Sequence, residues 1–568
     1  RLGRASEAEP YLDAVVKAAP NDLLFRSAWL TLGDIRFDRG EWERAEKGYA
    51  AYLADGKDAP AGDDAALRMG LCRHRLDRLT EAIEAYDQVL SNHANSPHRV
   101  QAQFERGQAL AALNQPAEAA KAFEAVLSEG GESSRFACHA LRHLAAIAQT
   151  SGDPTKAAEL LRRAAAAADE TGLAPDLLLQ QGQALLSARK FAEAEAALRR
   201  AVELDPKSPA ASEAKAQWAM AVARQDRCAD AVELISGLAL SETSPGLRSS
   251  LRYEKAWCLR SLGRDDDAAA AYRELLSAEA PEKLAAHATL ELAEMEASAG
   301  RFEEAGTLLR ALPGLVDRLP ADERASLVEQ GTYRLGVCEF ELARYDAARG
   351  CFDTVAESYP TSSLAPSSLF HGGEAAFRAG KFEAALVRIT KLIERHPDDA
   401  SIASAFLRQG ETLAALQRWA ASERAFARYL ERFPEGEGKS QARFGVGFAC
   451  ENQKRYDEAI RAYGRVVESS SSPTAARAQF QIGECLFAQG KHEEAVRELL
   501  KVDILYAYAE WSAAALFEAA RCFEKLDKPQ EAQRHFRQVA DQYGDSSWGK
   551  MALARLSELT SSAVVPGR

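Results

Sequence analysis

Apolar and small residues recur along the whole chain at helical spacing, in pairs of amphipathic segments joined by a short polar phrase. The phrase reads Gly40-Glu41-Trp42-Glu43-Arg44-Ala45, Gly300-Arg301-Phe302-Glu303-Glu304-Ala305, Gly380-Lys381-Phe382-Glu383-Ala384-Ala385 and Gly490-Lys491-His492-Glu493-Glu494-Ala495. With its third residue as a pivot, pivots fall at Trp42, Leu79, Pro116, Pro154, Phe191, Cys228, Asp265, Phe302, Tyr345, Phe382, Trp419, Tyr456, His492 and Pro529. The steps are 36 to 38 residues, except one of 43 between Phe302 and Tyr345. Repetition at such a period predicts stacked helical units, none of which can bury its apolar face alone.

Three flanking positions fix the register. Nine residues before the pivot every unit has Gly or Ala, as at Gly33, Gly70, Ala145, Gly336 and Gly410. Three residues after it stands Ala, from Ala45 to Ala532, with Ser422 the exception. Seven after it comes a large apolar residue, such as Tyr49, Phe123, Leu198, Tyr272, Phe352, Phe426 and Phe536. Glycine inside a helix costs up to about 1 kcal/mol relative to alanine, so its recurrence predicts two backbones in close approach. Small residues facing small residues, with a bulky one a turn further on, describe an antiparallel helix hairpin. Pro206, Pro360, Pro397 and Pro434, fifteen residues past their pivots, punctuate the ends of second helices.

This spacing of Gly, aromatic, Ala, aromatic and Pro resembles the tetratricopeptide repeat family over essentially the whole chain. The resemblance implies an all-α solenoid of helix-turn-helix repeats in a right-handed superhelix with a concave groove. About 14 repeats are expected, plus an N-terminal half repeat and a C-terminal cap helix. The expected division is the second helix of a truncated repeat at 1–20, a first array at 21–312, an irregular bend at 313–320, a second array at 321–545, a capping helix at 546–560 and a disordered tail at 561–568. Leu2-Gly3-Arg4-Ala5 repeats the phrase Leu262-Gly263-Arg264-Asp265, so the chain opens mid-repeat, and a partner helix, with any targeting signal, is expected upstream of Arg1.

Composition narrows the function. Net charge is −13, an acidic balance that disfavours nucleic acid as a partner. No apolar run is long enough to span a membrane. Of nine cysteines, Cys72, Cys258, Cys338, Cys485 and Cys522 sit seven residues before their pivots and Cys450 six before, the place of buried core residues and not of a disulfide framework. His492-Glu493-Glu494 lacks the second histidine of a zinc helix. Gly436-Glu437-Gly438-Lys439-Ser440 lacks the early glycine of a phosphate loop, and Asp265-Asp266-Asp267 lacks a calcium loop's closing glutamate. No catalytic, metal or cofactor site is read from the chain.

Candidate binding residues lie 12, 8 and 5 positions before each pivot, one stripe of the first helix. In the tetratricopeptide family that stripe lines the groove. Here it yields Tyr253, Trp257, Tyr333, Phe340, Phe370, Glu374, Phe377, Glu411, Phe444, Phe448, Phe480, Glu484 and Phe487. An aromatic ladder among carboxylates suits an extended or helical segment of another protein, while packing between units is the competing reading of the same residues. Five asparagines in the whole chain disfavour the Asn/Lys/Arg clamp by which some relatives grip chaperone tails. The expectation is a non-catalytic scaffold binding proteins or peptides, with self-association through open array ends as a further possibility. Cys351-Phe352-Asp353, Tyr359-Pro360-Thr361-Ser362 and Phe370-His371-Gly372-Gly373-Glu374 resemble repeats of bacterial outer-membrane assembly lipoproteins and Tol–Pal coordinators, which implies the periplasm or cell envelope. The alternative is a cytoplasmic adaptor arm of a larger protein with an effector domain upstream.

Overall fold

A computed structural model describes residues 5–18, 25–54, 59–168, 172–278, 280–469, 471–506 and 508–562. Side chains of 5, 6, 209 and 560–562 are likewise outside the description. The described residues form thirty α-helices and no strand, so the all-α repeat reading holds. The expectations resting on Leu2 to Arg4, on Pro20 and on tail residues 563–568 fall outside the described residues. Two compact units, Arg1–Leu284 and Ala285–Arg568, divide the chain within the helix Glu282–Ser298. The segment 313–320 holds the end of the helix Phe302–Leu315 and leads through Pro320 into a 21-residue helix, Ala321–Glu341. The last described helix is Ser547–Ser562.

Each pivot is the first residue of a second helix, from Trp42–Leu53 to Pro529–Gln542. That placement explains why Pro116, Pro154 and Pro529 are accepted there, since the first helical N–H has no partner to lose. Pro360, Pro397 and Pro434 directly follow the helix-ending residues Tyr359, His396 and Phe433.

The expected close approach is present. A Cβ built on Gly33 would stand 2.8 Å from the Tyr49 ring, and one on Gly336 2.8 Å from Phe352. The same construction gives 2.6 Å for Gly410 against Phe426 and for Gly447 against Tyr463. All fourteen residues three after the pivot are fully buried. The exception to alanine, Ser422, satisfies its hydroxyl by donating to the Gly410 carbonyl at 2.8 Å.

Every first helix ends in the same turn. The residue two before the pivot is left-handed in all fourteen hairpins, with φ between 56° and 80°. The next amide donates back to the helix, as from Arg344 to the Glu339 carbonyl at 2.8 Å and from Lys491 to Leu486 at 2.9 Å. These are the bonds of a Schellman ending, which turns the chain sharply enough to bring the second helix against the first. Six of these turns use glycine, but Ala343, Arg189, Gln417 and Lys454 hold the same conformation with a Cβ.

Successive hairpins are also pinned by charge. Arg78 pairs with Glu46 at 2.7 Å, Arg227 with Glu195 at 2.8 Å, Lys381 with Asp346 at 2.6 Å and Arg418 with Glu383 at 2.6 Å. Each base sits one residue before its pivot and each acid lies on the preceding second helix. The exposed pairs, Lys381 with Asp346 and Arg418 with Glu383, add little stability singly, and all four favour one stacking register.

Relief of the left-handed strain gives a direct test. Ala343→Gly should stabilise the second unit by about 1 kcal/mol and Gly300→Ala should weaken it by a similar amount. Denaturant midpoints read both; an Ala343→Gly protein less stable than the parent would refute the assignment.

Candidate functional site

The thirteen stripe residues separate by row. Those 12 before the pivot cover the hairpin's own core: Tyr253 meets Tyr272 with ring centroids 5.8 Å apart, Tyr333 meets Phe352 at 5.6 Å and Phe444 meets Tyr463 at 5.1 Å. Phe480 is buried and reaches Trp511 of the next hairpin at 5.8 Å. Residues 5 before the pivot fold onto the pivot itself, Phe340 on Tyr345 at 5.4 Å, Phe377 on Phe382 at 5.3 Å and Phe487 on His492 at 5.1 Å. These edge contacts brace the tight turn. In the row 8 before the pivot, Trp257 packs at the edge of the Cys228 and Cys258 cluster, and Phe448 meets Trp419 at 5.8 Å.

Four of the thirteen, Phe340, Phe370, Glu374 and Glu411, line one cleft in the second unit with a volume of about 440 Å³. Its floor is Val337, Phe340, Phe370 and Leu407, contributed by the first helices Ala321–Glu341, Ala365–Arg378 and Ile402–Ala415. Arg408 spans the middle: it is ion-paired to Glu374, meets Glu411 at 2.6 Å and lies 4.5 Å over the Phe377 ring. Gln441 donates to the other Glu411 oxygen at 2.6 Å. Arg408 was not among the residues read from sequence, because it stands off the stripe by one position. At the rim Glu341 and Arg378 are exposed, and neither makes an ion pair among the described residues. Burial keeps His371 below its usual range, hence neutral at pH 7, with Nδ1 lacking a hydrogen-bond partner. An apolar floor with a fixed zwitterionic wall can seat an apolar side chain and hold the polar groups beside it.

Tyr253 and Trp257 belong to the first unit, and Phe444, Phe448, Phe480, Glu484 and Phe487 lie on later first helices of the second unit, outside this cleft. Glu423, Cys450 and Glu458 converge closely enough to ligate an ion. Arg455 already answers both carboxylates, meeting Glu423 at 2.7 Å and pairing with Glu458, and burial pushes the Cys450 thiol up to about 11, so the trio does not suit a metal. Eight of the nine cysteines are buried, Cys351 being half-buried, and all are free.

Glu484 has a different standing. Its Oε1 is shielded from solvent with no hydrogen-bond partner. Burial first, then repulsion from Glu518, pushes its carboxyl up to about 7 against an opposing pull from Arg521, with Glu451 adding the smallest push. As pH rises from about 4.5 to about 7 the unfolded chain releases this proton before the folded one does. Folding therefore loses stability across that window as pH increases. Glu484→Gln should match the parent near pH 4.5 and exceed it increasingly toward pH 8, by up to about 3 kcal/mol. Melting curves across that range check it; a difference independent of pH would refute the assignment.

Two profiles described as tetratricopeptide repeat match the chain. One matches residues 1–64, 30–98, 67–135, 144–209, 213–283, 253–323, 370–437, 407–473 and 451–510, and the other 332–362 and 514–546. No curated protein matches. Among solved structures, the chain is similar to one from a complex of Naa15/Naa10 bound to HypK-THB, at 12% identity over 95% of this chain and 97% of that one, with a TM-score of 0.38. A tetratricopeptide repeat protein from Parabacteroides merdae is 17% identical over 49% of this chain and 98% of its own, with a TM-score of 0.34. The C-terminal part of a repeat protein from Cytophaga hutchinsonii is 13% identical over 46% and 99%, with a TM-score of 0.38.

Proposed function

From the premise that the chain belongs to the tetratricopeptide repeat family and is a protein-interaction scaffold, we propose that the second unit takes a partner segment along the cleft between Phe340 and Glu411. One observation carries the reading: three successive first helices combine an apolar floor with a carboxylate, Glu341, and a guanidinium, Arg378, that have no ion-pair partner among the described residues. A segment with an apolar side chain flanked by groups of both charge signs complements that wall. Nothing in the matched profiles indicates a catalytic family.

The place of action is proposed as a bacterial cell envelope, supported by the style of the repeats from Tyr345 onward. A cytoplasmic adaptor arm is the alternative, and the nine free thiols are compatible with it. No described helix is long and apolar enough to cross a membrane. Fractionation of cells producing the native gene separates the two.

A photo-cross-linking residue placed at Phe370 should capture a polypeptide, and that polypeptide, once purified, should bind the whole chain. Phe370→Ala should weaken the complex about thirtyfold, as for a central aromatic contact, and should also lower the melting temperature because the ring packs on its hairpin's core. Unchanged affinity of the captured partner for Phe370→Ala would remove the cleft from the interface.

A further inference from the structure

The last four hairpins carry a second surface, on the opposite side of their second helices. Five residues after the pivot stands arginine each time: Arg424, Arg461, Arg497 and Arg534. One turn further on, Arg428 and Arg465 extend the column, and Arg537 joins it on the last of these helices. The positions three and seven after the pivot face the core, so these lie on the outward side, and all seven arginines are exposed.

None of the seven makes a side-chain hydrogen bond or ion pair among the described residues. Arginines at the contacts between helices differ. Arg388 is bound to Asp353 at 2.6 Å, Arg418 to Glu383 at 2.6 Å, Arg455 to Glu423 at 2.7 Å and Arg521 to Glu518 at 2.7 Å. A chain of net charge −13 thus pairs its structural arginines and leaves a column of them open on one face. In the first unit the positions five after the pivot hold Lys47, Glu84, Lys121, Glu159, Ala196, Glu233 and Ala270, so arginine does not recur at that position there. Ile504 adds an apolar contact: it is 76% exposed and stands seven residues after Arg497 on the same helical face.

We propose that this face docks an acidic segment of a partner polypeptide, a run of Asp and Glu with an apolar side chain set against Ile504. Guanidinium groups match carboxylates in planar, two-point pairing. The field of the whole chain is negative, and Glu431, Glu468, Glu494 and Glu531 flank the column. A short acidic segment can confine its charge to the column, whereas a lipid surface or a nucleic acid brings phosphates against the flanking acids as well.

The test uses the whole chain and a fluorescent octaglutamate peptide with one central leucine. The peptide should bind at low salt and weaken as salt rises. The Arg424→Gln, Arg461→Gln, Arg497→Gln, Arg534→Gln combination should weaken it at least about tenfold with an unchanged melting temperature. Should that combination melt early, the two pairwise variants, Arg424/Arg461 and Arg497/Arg534, each to Gln, should lose about threefold apiece. Lys47→Gln with Lys121→Gln should leave binding intact, and so should Phe370→Ala, which separates this face from the cleft. No binding of the peptide, equal binding by the arginine variants, or tighter binding of phosphatidylglycerol vesicles or single-stranded DNA through the same arginines would overturn the proposal.

Discussion

The close approach of the two helices in each hairpin is the contact on which everything else depends. Where Gly336 faces Phe352 or Gly410 faces Phe426, the ring occupies the space a Cβ would need, so the second helix lies directly on the backbone of the first. A hairpin closed this tightly still leaves apolar surface on both sides, and it becomes stable only when another hairpin covers it. The Schellman turn is part of the same constraint: without a left-handed residue two before the pivot, the second helix could not return at that distance. Stacking then repeats a geometry that each hairpin has already set.

That origin explains which parts of the structure could be read from residues alone. The pivots, the Gly or Ala nine before them and the large residue seven after them are forced by sterics, and sterics restrict residue type. Hence every pivot begins a second helix and the small-on-large pairs meet. The turn was legible at Gly300 and Gly380 and not at Ala343 or Gln417, because a left-handed residue with a Cβ is strained but permitted when the flanking helices fix it. The candidate stripe was half legible. Spacing places Phe340, Phe377 and Phe487 on one face, but the aromatic at the pivot draws each ring onto the turn, a contact fixed by rotamer and not by spacing. Arg408 escaped notice for a related reason: its long side chain reaches the groove from a position off the stripe.

Charge does two separate jobs in this molecule. Pairs such as Lys381 with Asp346 and Arg418 with Glu383 join neighbouring hairpins, and their members recur at fixed places beside the pivot. They favour the observed stacking register over a shifted one, in which these pairs would be lost. Buried carboxylates such as Glu254, Glu296, Glu339 and Glu518 each hold an arginine, because an ionised group out of water is tolerated only with a partner. Glu484 breaks that rule, and burial raises its carboxyl toward neutrality as the least costly remedy.

The division of labour between positions has a consequence for recognition. Positions that fix the hairpin are filled by small and bulky apolar residues and tolerate little change, so they cannot distinguish one partner from another. What is left to meet a partner is the part of the rows twelve, eight and five before the pivot that lines the cleft on one side, and the positions five and nine after it on the other. In the second unit those rows hold Glu374 and Glu411 bound around Arg408, and Arg424, Arg461, Arg497 and Arg534, which have no side-chain hydrogen bond or ion pair among the described residues. Fixed charges around an apolar floor favour a partner of one shape, because moving them breaks pairs already made. On the proposed reading, an open column of arginines imposes no such shape and selects by charge, with Ile504 adding one apolar contact. On the two proposed readings, one set of stacked hairpins in the second unit would carry both a surface that discriminates and a surface that captures, since the same helix contacts hold both faces in place.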